Sequence, residues 1–218
     1  MIDRYPLSLG VAASLVKAPI IGVIRSDSAR EAAQHAHTFQ KAGLELIEVT
    51  FTVPGALDLV RSLLAQTSKP SSPPWIGMGT VSTAQRARDA VEAGSNFLVS
   101  PNTSSEVAAI AREAGCYLIL GAMTPTEIVR ACELGADFVK IYPLPLFGGP
   151  AYLHTIRQPL PDVPLLAAGG FGIDEIPDYR AAGASAFGLG APLLGQDEND
   201  SIDKIRRALQ MARGVQVT

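Results

Sequence analysis

The chain has few of the features that mark several common classes of protein. Its two cysteines, Cys116 and Cys132, stand in neither a metal-binding nor a redox spacing, so we expect two reduced thiols and no disulfide framework. It has no apolar run of the roughly 20 residues that a membrane span needs. The segment Met1–Ala13 lacks a basic stretch followed by an apolar one, so no signal peptide is predicted. We therefore expect a cytoplasmic protein with no membrane partner.

Net charge is low and histidines are few. The formal charge is only −3, which indicates neither nucleic acid nor an anionic membrane surface as a partner. His35 and His37 are two residues apart on a predicted helix and therefore point in different directions, and His154 lies on another predicted helix. None has the spacing of a metal ligand. We expect no metal and no other cofactor.

Short apolar runs alternate with amphipathic stretches along the chain. Because 47% of its 218 residues are hydrophobic, it can bury the core of a single domain over residues 1–218. The apolar runs predict eight β-strands, at Ile20–Arg25, Leu46–Phe51, Trp75–Val81, Phe97–Pro101, Tyr117–Met123, Phe138–Leu144, Leu165–Gly170 and Ala186–Ala191. The predicted helices include Ser28–Ala42, Ser82–Ala93, Ser105–Ala114 and Pro125–Leu134, with caps at Ser82, Ser105 and Thr124.

An Ala-Gly or Leu-Gly pair ends five of the helical stretches, where glycine takes a positive φ without strain. These glycines are Gly43, Gly94, Gly115, Gly135 and Gly183. Eight strands in strict alternation with helices predict a single (β/α)₈ (TIM) barrel. An open doubly wound sheet is the alternative, disfavoured because no Gly-x-Gly-x-x-Gly follows the first strand.

The segment 1–18 precedes the first predicted strand. It carries the apolar residues Leu7, Leu9, Leu15 and Val16. We predict that it forms an N-terminal helix that covers the barrel bottom through these side chains.

One lysine stands inside a predicted buried strand. Lys140 lies in the run 138–142, whose other members are apolar or aromatic. Burial disfavours the ammonium form, and a neutral amine is what attacks a carbonyl to form a Schiff base. Lys140 is therefore a candidate covalent nucleophile. The alternative is a strand-end lysine that reaches water along its aliphatic stem.

Strand alternation places a carboxylate inside the predicted barrel. Glu48 and Thr50 share one face of the second strand, while their apolar neighbours take the other face and belong against the helices. A carboxylate close to an imine-forming lysine can carry protons for it. The alternative is a structural ion pair of Glu48 with Lys140 or Arg25.

The last two predicted strands contain glycines near their ends. Gly169 and Gly170 close the seventh strand, and Gly188 and Gly190 lie in the eighth. Loops at these positions of such barrels commonly bind phosphate through backbone N–H groups, so an anion site is predicted. The alternative is that these glycines only permit tight turns.

Together these residues resemble the 2-keto-3-deoxy-6-phosphogluconate/4-hydroxy-2-oxoglutarate aldolase family, class I aldolases with a (β/α)₈ barrel. The resemblance runs from about Ile20 to Leu194, and the order and spacing of its motifs agree. The motifs are Leu46-Ile-Glu-Val-Thr50, Gly77-Met-Gly-Thr80, Ser100-Pro-Asn102, Phe138-Val-Lys-Ile-Tyr-Pro143 and Gly169-Gly170.

The resemblance implies that Lys140 is the Schiff-base lysine and Glu48 the general acid/base. It implies that Thr80 contacts the pyruvyl carboxylate and that Gly169 and Gly170 belong to a phosphate site. It also implies a homotrimer that needs no metal. The full set of candidate substrate-binding residues is Arg25, Thr80, Pro101, Tyr142, Gly169, Gly170, Gly188 and Gly190.

Three positions depart from the family pattern. The phosphogluconate branch has an arginine and a threonine where this chain has Thr52 and Ala168. The phosphogalactonate branch also lacks both and keeps the strand-one arginine, here Arg25, so the chain looks closer to that branch. Both branches usually carry serine where Ala191 stands, and its loss removes a hydrogen bond that a phosphate would accept. Whether the substrate is phosphorylated is therefore open.

The expected reaction is cleavage of a 2-keto-3-deoxy-6-phospho sugar acid, or of 4-hydroxy-2-oxoglutarate, to pyruvate and an aldehyde. The same imine chemistry predicts oxaloacetate decarboxylation as a side activity or as the main one. Two alternatives from other classes are a phosphosugar isomerase or epimerase and a barrel that binds a metabolite without turnover.

Overall fold

Eight parallel strands close into a barrel in the computed structural model, which describes residues 6–66 and 73–214, the side chains of 6–8 excepted. The strands follow chain order, and the first pairs with the last through Ile20 and Phe187. The predicted (β/α)₈ fold is confirmed, and the open-sheet alternative is wrong. The strands are β1 (Ile20–Ile24), β2 (Leu46–Thr50), β3 (Trp75–Gly79), β4 (Phe97–Val99), β5 (Tyr117–Ala122), β6 (Phe138–Ile141), β7 (Leu165–Ala168) and β8 (Ala186–Leu189).

The strands end earlier than their apolar runs predict. The run that contains Lys140 extends to Leu144, yet β6 ends at Ile141, because Pro143 has no N–H to donate to the ladder. The chain then enters a 3₁₀ turn at Leu144–Phe147. Similarly, β3 ends at Gly79 because Thr80 has φ 60°, which leaves the extended region. The residues that follow each strand are thereby freed to line the mouth of the barrel.

Helices connect the strands on the outside of the barrel. Within the described residues no helix is long and apolar enough to cross a membrane. Further 3₁₀ turns lie at Ile173–Glu175 and Ala191–Leu193. The helices are α1 (Pro6–Lys17), α2 (Ala29–Ala42), α3 (Ala56–Ala65), α4 (Ala84–Glu92), α5 (Ser105–Ala114), α6 (Pro125–Glu133), α7 (Gly149–Arg157), α8 (Ile176–Ala181) and α9 (Glu198–Arg213).

Two of the three predicted caps are displaced by one residue. The cap of α4 is Thr83 rather than Ser82, and the cap of α5 is Ser104 rather than Ser105, because these side chains accept the N–H of the third helical residue. Thr124 caps α6 as predicted. At the other ends, all five predicted glycines have positive φ, between 67° and 103°.

Helix α1 covers the amino-terminal end of the barrel, but through a different face from the predicted one. Leu15 is buried as expected, together with Val11, whereas Leu9 and Val16 are 52% and 87% exposed. Leu7 lies outside the described side chains. The burying face is set by Trp75 at the start of β3, because a Cβ atom at Gly10 would overlap its ring.

A polar contact also fastens α1 to the barrel. Glu45 accepts hydrogen bonds from Lys17 Nζ at 2.6 Å and Ser14 Oγ at 2.7 Å. Ser14 Oγ in turn accepts the indole N–H of Trp75 at 3.0 Å. Burial by itself raises the pKa of Glu45, but the hydrogen bonds from Lys17 and Ser14 outweigh it, so the pKa lies below its ordinary value.

We expect Glu45→Gln to lower the free energy of unfolding at pH 7 by about 1 kcal/mol, since it removes a charge-assisted contact. A carboxyl with a lowered folded-state pKa stabilises the fold above its unfolded-state pKa, and loses that contribution as pH falls through its folded-state pKa. Urea unfolding of the unmodified protein and of the variant, repeated from pH 7 down to pH 3, should therefore show that the difference between their free energies of unfolding becomes smaller. A difference that stays constant over that range would contradict the role of the Glu45 charge.

Candidate active site

Glu48 points into the barrel, and its side chain is only 3% exposed. Ile47 and Val49, on the opposite face of β2, pack in the outer core with the helices. Two residues further on, Thr50 Oγ1 donates to the carbonyl of Ile24 at 3.0 Å and hydrogen-bonds Thr52 Oγ1 at 2.8 Å. The period-two alternation of this strand thus brings a carboxylate to the interior near the carboxyl-terminal end.

The space for Glu48 is made by a glycine on the next strand. A Cβ atom at Gly79 would overlap the carboxylate oxygen Oε1 of Glu48. Gly77, two residues earlier on the same inner face, leaves room in the same way for the ring of Phe97. Sequence reasoning missed this role of Gly79. The available signal was the Gly-x-Gly spacing, which puts two side-chain-free positions on one face of a strand.

Glu48 has neither an ion-pair nor a hydrogen-bond partner among the residues that the structure describes. The predicted alternative of a structural ion pair with Lys140 or Arg25 is therefore wrong. A carboxylate held inside a barrel without a partner does not repay its desolvation cost through protein contacts. This arrangement is typical of a group that acts on a ligand.

Lys140 lies half-buried on β6, with apolar neighbours in the ladder. Its backbone neighbours are Gly121 on β5 and Leu166 on β7. The ammonium nitrogen lies 5.3 Å from the ring centre of Tyr142, a cation–π distance. Lys140 has no carboxylate partner in the described part of the chain. Lys140 shares the inner face of β6 with Phe138, while Val139 and Ile141 pack in the outer core, and its amine lies beside an aromatic ring.

Thr80 has an unusual backbone at the end of β3. A φ of 60° is uncommon for a β-branched residue and stores strain, which clusters at functional sites. Arg86 on α4 holds this turn by donating from Nη1 to the Thr80 carbonyl at 3.1 Å and to Ser82 Oγ at 3.1 Å. The guanidinium also lies 5.2 Å from the ring centre of Phe51. Arg86 was not among the predicted residues.

The segment after β4 packs against β5. Ser100 is fully buried, and its Oγ accepts the backbone N–H of Asn102 at 3.3 Å. Gly121 lets the carbonyl of Pro101 come close, since a Cβ atom there would overlap it. Because Gly121 neighbours Lys140 in the ladder, Pro101 is held on the lysine side of the barrel. Arg25 lies exposed at the end of β1.

The predicted glycines after β7 and β8 take conformations that suit close backbone approach. Gly169 and Gly170 have φ of 135° and 88°, and no atom lies within 4 Å of a Cβ built at Gly170. A Cβ atom at Gly188 would lie 3.2 Å from Leu166 on the neighbouring strand β7, and Gly190 packs near the carbonyl of Val23 on β1. Of these four predicted glycines, Gly170 is exposed, Gly169 and Gly190 are half-buried, and Gly188 is buried, so accessible backbone is concentrated at the turn after β7.

The histidines lie away from the strand ends. His35 and His37 line a surface groove of about 770 Å³ between α2 and α9, and His37 Nε2 lies 4.0 Å from a carboxylate oxygen of Glu198. His154 is exposed on α7.

Burial raises the pKa of the Cys116 thiol to about 11, so it stays protonated near neutral pH.

The fold and the inward lysine and carboxylate define a (β/α)₈ barrel with its polar site at the carboxyl-terminal strand ends. The model of the KDPG and KHG aldolase family matches residues 11–208. A probable 2-dehydro-3-deoxy-6-phosphogalactonate aldolase of Rhizobium meliloti is 31% identical over 192 residues, which cover 88% of this chain and 86% of that protein. The chain belongs to the KDPG and KHG aldolase family, as its sequence motifs predicted.

Other relatives and a solved structure agree. A 2-dehydro-3-deoxy-phosphogluconate aldolase of Treponema pallidum is 29% identical and covers 77% of this chain and 78% of that protein. A native KDPGal structure has a TM-score of 0.81 at 27% identity, covering 91% of this chain and 96% of that one. The homologues are named aldolases, which confirms the predicted enzyme class, an aldehyde-lyase. They disfavour the isomerase and the non-catalytic barrel.

Proposed function

We propose that the protein is a class I aldolase in which Lys140 forms a Schiff base with a 2-keto-4-hydroxy acid and releases pyruvate and an aldehyde. The observation that carries the proposal is a pair of inner-face side chains in one barrel: the Glu48 carboxylate, which has no partner among the described residues, and the half-buried Lys140 on the face of β6 that also holds Phe138. An amine and a carboxylate are the two groups that imine formation and aldol cleavage require.

The reaction begins when the free amine of Lys140 attacks the C2 ketone. Glu48, directly or through a water molecule, transfers the protons that convert the carbinolamine to a protonated imine as water leaves. Glu48 then takes the proton of the C4 hydroxyl, and the C3–C4 bond breaks. Its electron pair moves into the imine to give an enamine, and C4 leaves as an aldehyde. Protonation of the enamine at C3 and hydrolysis release pyruvate and regenerate Lys140.

Residues at the other strand ends position the substrate in this proposal. Arg25 and Thr80 bind the substrate carboxylate next to C2. Arg25 contributes a positive charge, and Thr80 contributes a hydroxyl that donates a hydrogen bond. Tyr142 packs beside the imine, as its contact with the Lys140 ammonium group indicates. Pro101 borders the site on the β4 side. No metal is required, since the protonated imine itself accepts the electron pair.

The substrates to test first follow from the relatives. These are named for 6-phospho sugar acids and, in the family description, for KHG, 4-hydroxy-2-oxoglutarate. In the proposal the backbone around Gly169, Gly170 and Gly190 receives the end of the substrate distant from its carboxylate. A homotrimer is the proposed assembly.

Reductive trapping tests the mechanism. The protein is incubated with pyruvate and sodium borohydride, and intact-mass and peptide mass spectrometry follow. We expect a three-carbon adduct on Lys140, because borohydride reduces the imine to a stable amine. Lys41, an exposed lysine on α2 that pairs with Glu198, serves as the internal control and is expected to stay unlabelled. No adduct on the folded protein, or an adduct elsewhere, would contradict the proposal.

Oxaloacetate decarboxylation is a second candidate for the main activity. It uses the same imine, with CO₂ in place of the aldehyde as leaving group, and needs no phosphate contact. Ala168 and Ala191, which offer no side-chain hydroxyl at the ends of β7 and β8, are the observation that favours it. Steady-state assays with both substrate types distinguish the two, since the main activity has the larger kcat/KM.

A further inference from the structure

The mouth of the barrel is divided into a polar half and an apolar half. Arg25, Glu48 and Thr80 lie on or directly after β1, β2 and β3. By contrast, the ends of β6, β7 and β8 lie in three stretches with no Asp, Glu, Lys, Arg or His, residues 141–153, 163–173 and 181–196. Lys140 stands on β6, at the border of the apolar half.

The apolar half exposes large hydrophobic side chains. Tyr142, Leu146 and Phe147 are 43%, 81% and 55% exposed, and they are three of the six large hydrophobic residues exposed in the described part of the chain. They follow β6 within seven residues of Lys140. Leu144, fully buried, anchors this segment to the core. We call Tyr142–Phe147 the β6 rim.

The β6 rim lies against the glycine turn that follows β7. A Cβ atom at Gly169 would lie 2.7 Å from Cδ of Pro145 and 2.9 Å from the backbone N of Leu144. The turn at Gly169 and Gly170 is thus bordered on its β6 side by proline and leucine. On its β8 side stand Gly188 and Ala191, neither of which has a polar side chain.

Two cations of α9, the helix packed beside these loops, already have carboxylate partners. Lys204 lies 3.4 Å from a carboxylate oxygen of Asp200 and donates to the carbonyl of Leu194 at 3.3 Å. Arg207 forms an ion pair with Asp174. A phosphate dianion on this side would meet backbone N–H groups without a side-chain cation from the three strand-end stretches, where the hydroxyl that follows a strand end directly is that of Tyr142.

We propose that the preferred substrate is a 2-keto-4-hydroxy acid whose carbon chain beyond C4 is apolar and unphosphorylated, and that Leu146 and Phe147 contact this chain. The proposal rests on the class I aldolase function. The keto-acid head then faces the polar half near Arg25 and Thr80, while the leaving aldehyde faces the β6 rim, where burial of apolar surface stabilises it.

The reverse reaction tests the preference, because pyruvate is common to every substrate. The pyruvyl enamine on Lys140 adds through C3 to the aldehyde carbon, and the new alkoxide takes a proton. We expect kcat/KM for butanal to exceed that for D-glyceraldehyde 3-phosphate at least about 10-fold at saturating pyruvate. A 10-fold preference for the phosphorylated aldehyde would overturn the proposal while the imine chemistry stood.

Leu146→Ala should lower kcat/KM for butanal about 10-fold, since part of the apolar contact is lost. For unphosphorylated glyceraldehyde, kcat/KM of the variant should stay within about 2-fold of the value for the unmodified protein. Leu9→Ala, an equal truncation of an exposed leucine at the opposite end of the barrel, is the matched control and should change neither. Borohydride trapping with pyruvate should be the same in all three proteins.

Each remaining outcome is decisive. Equal loss with both aldehydes would show a general structural effect of Leu146 and overturn the proposal. A change of molar mass in light scattering, with the aldehyde preference intact, would show that Leu146 is a subunit contact and would also overturn it. Failure of trapping in the unmodified protein would remove the class I function itself, and the inference with it.

Discussion

Lys140→Ala is expected to lower the rate of aldol cleavage at least about 10⁴-fold, to the background of the assay. In the proposed mechanism the substitution removes the nitrogen that bonds covalently to the substrate, so the whole imine path is lost. Because Lys140 is half-buried and has no ion-pair partner in the described residues, the variant should fold. Pyruvate release, followed with a coupled dehydrogenase, measures the loss, and circular dichroism checks the fold.

Lys140→Arg is the matched control for this prediction. It keeps the positive charge and the cation–π contact with Tyr142, but a guanidinium does not form an imine with a ketone. We expect it to be as inactive as the alanine variant and to give no borohydride adduct. An arginine variant with more than about one hundredth of the original rate would indicate that Lys140 acts through its charge alone.

Gly79→Ala has the second largest expected effect, although glycine takes no part in the chemistry. The added methyl group would overlap Oε1 of Glu48, so the carboxylate has to leave its position inside the barrel. Proton transfer by a positioned group is worth about 10²–10⁴ in rate, and we expect kcat to fall within that range. Gly172→Ala, whose Cβ would lie at an ordinary 3.5 Å from Glu175, is the control and should retain activity.

A double-mutant cycle tests whether Gly79 acts through Glu48. If it does, Gly79→Ala should have little further effect in a Glu48→Gln background, because the group that it displaces is already disabled. Multiplicative losses in the double variant would mean that the methyl group damages the site in another way. The cycle therefore distinguishes displacement of one carboxylate from general distortion of β3.

Local sequence pattern was sufficient for the strands and for the direction of Glu48. Side chains alternate across a strand, and an apolar face must pack against helices, so the inward position of Glu48 follows from Ile47 and Val49. Closure of the barrel followed from the strict alternation of strands and helices. Helix caps were predicted within one residue, because neighbouring Ser and Thr side chains, as at Ser82 and Thr83, compete for the same role.

Contacts between distant segments required the tertiary structure. The sequence by itself determined the barrel, the inward carboxylate and the lysine on the sixth strand, since each depends on local period and residue type. Only the structure decided that Gly79 makes room for Glu48, that Gly10 of α1 packs against Trp75 and that Glu48 has no ion-pair partner in the described residues. Each of these features depends on which atoms of distant segments come into contact. The periodicity and composition of a sequence do not specify such distances, so the packing of the folded chain decides them.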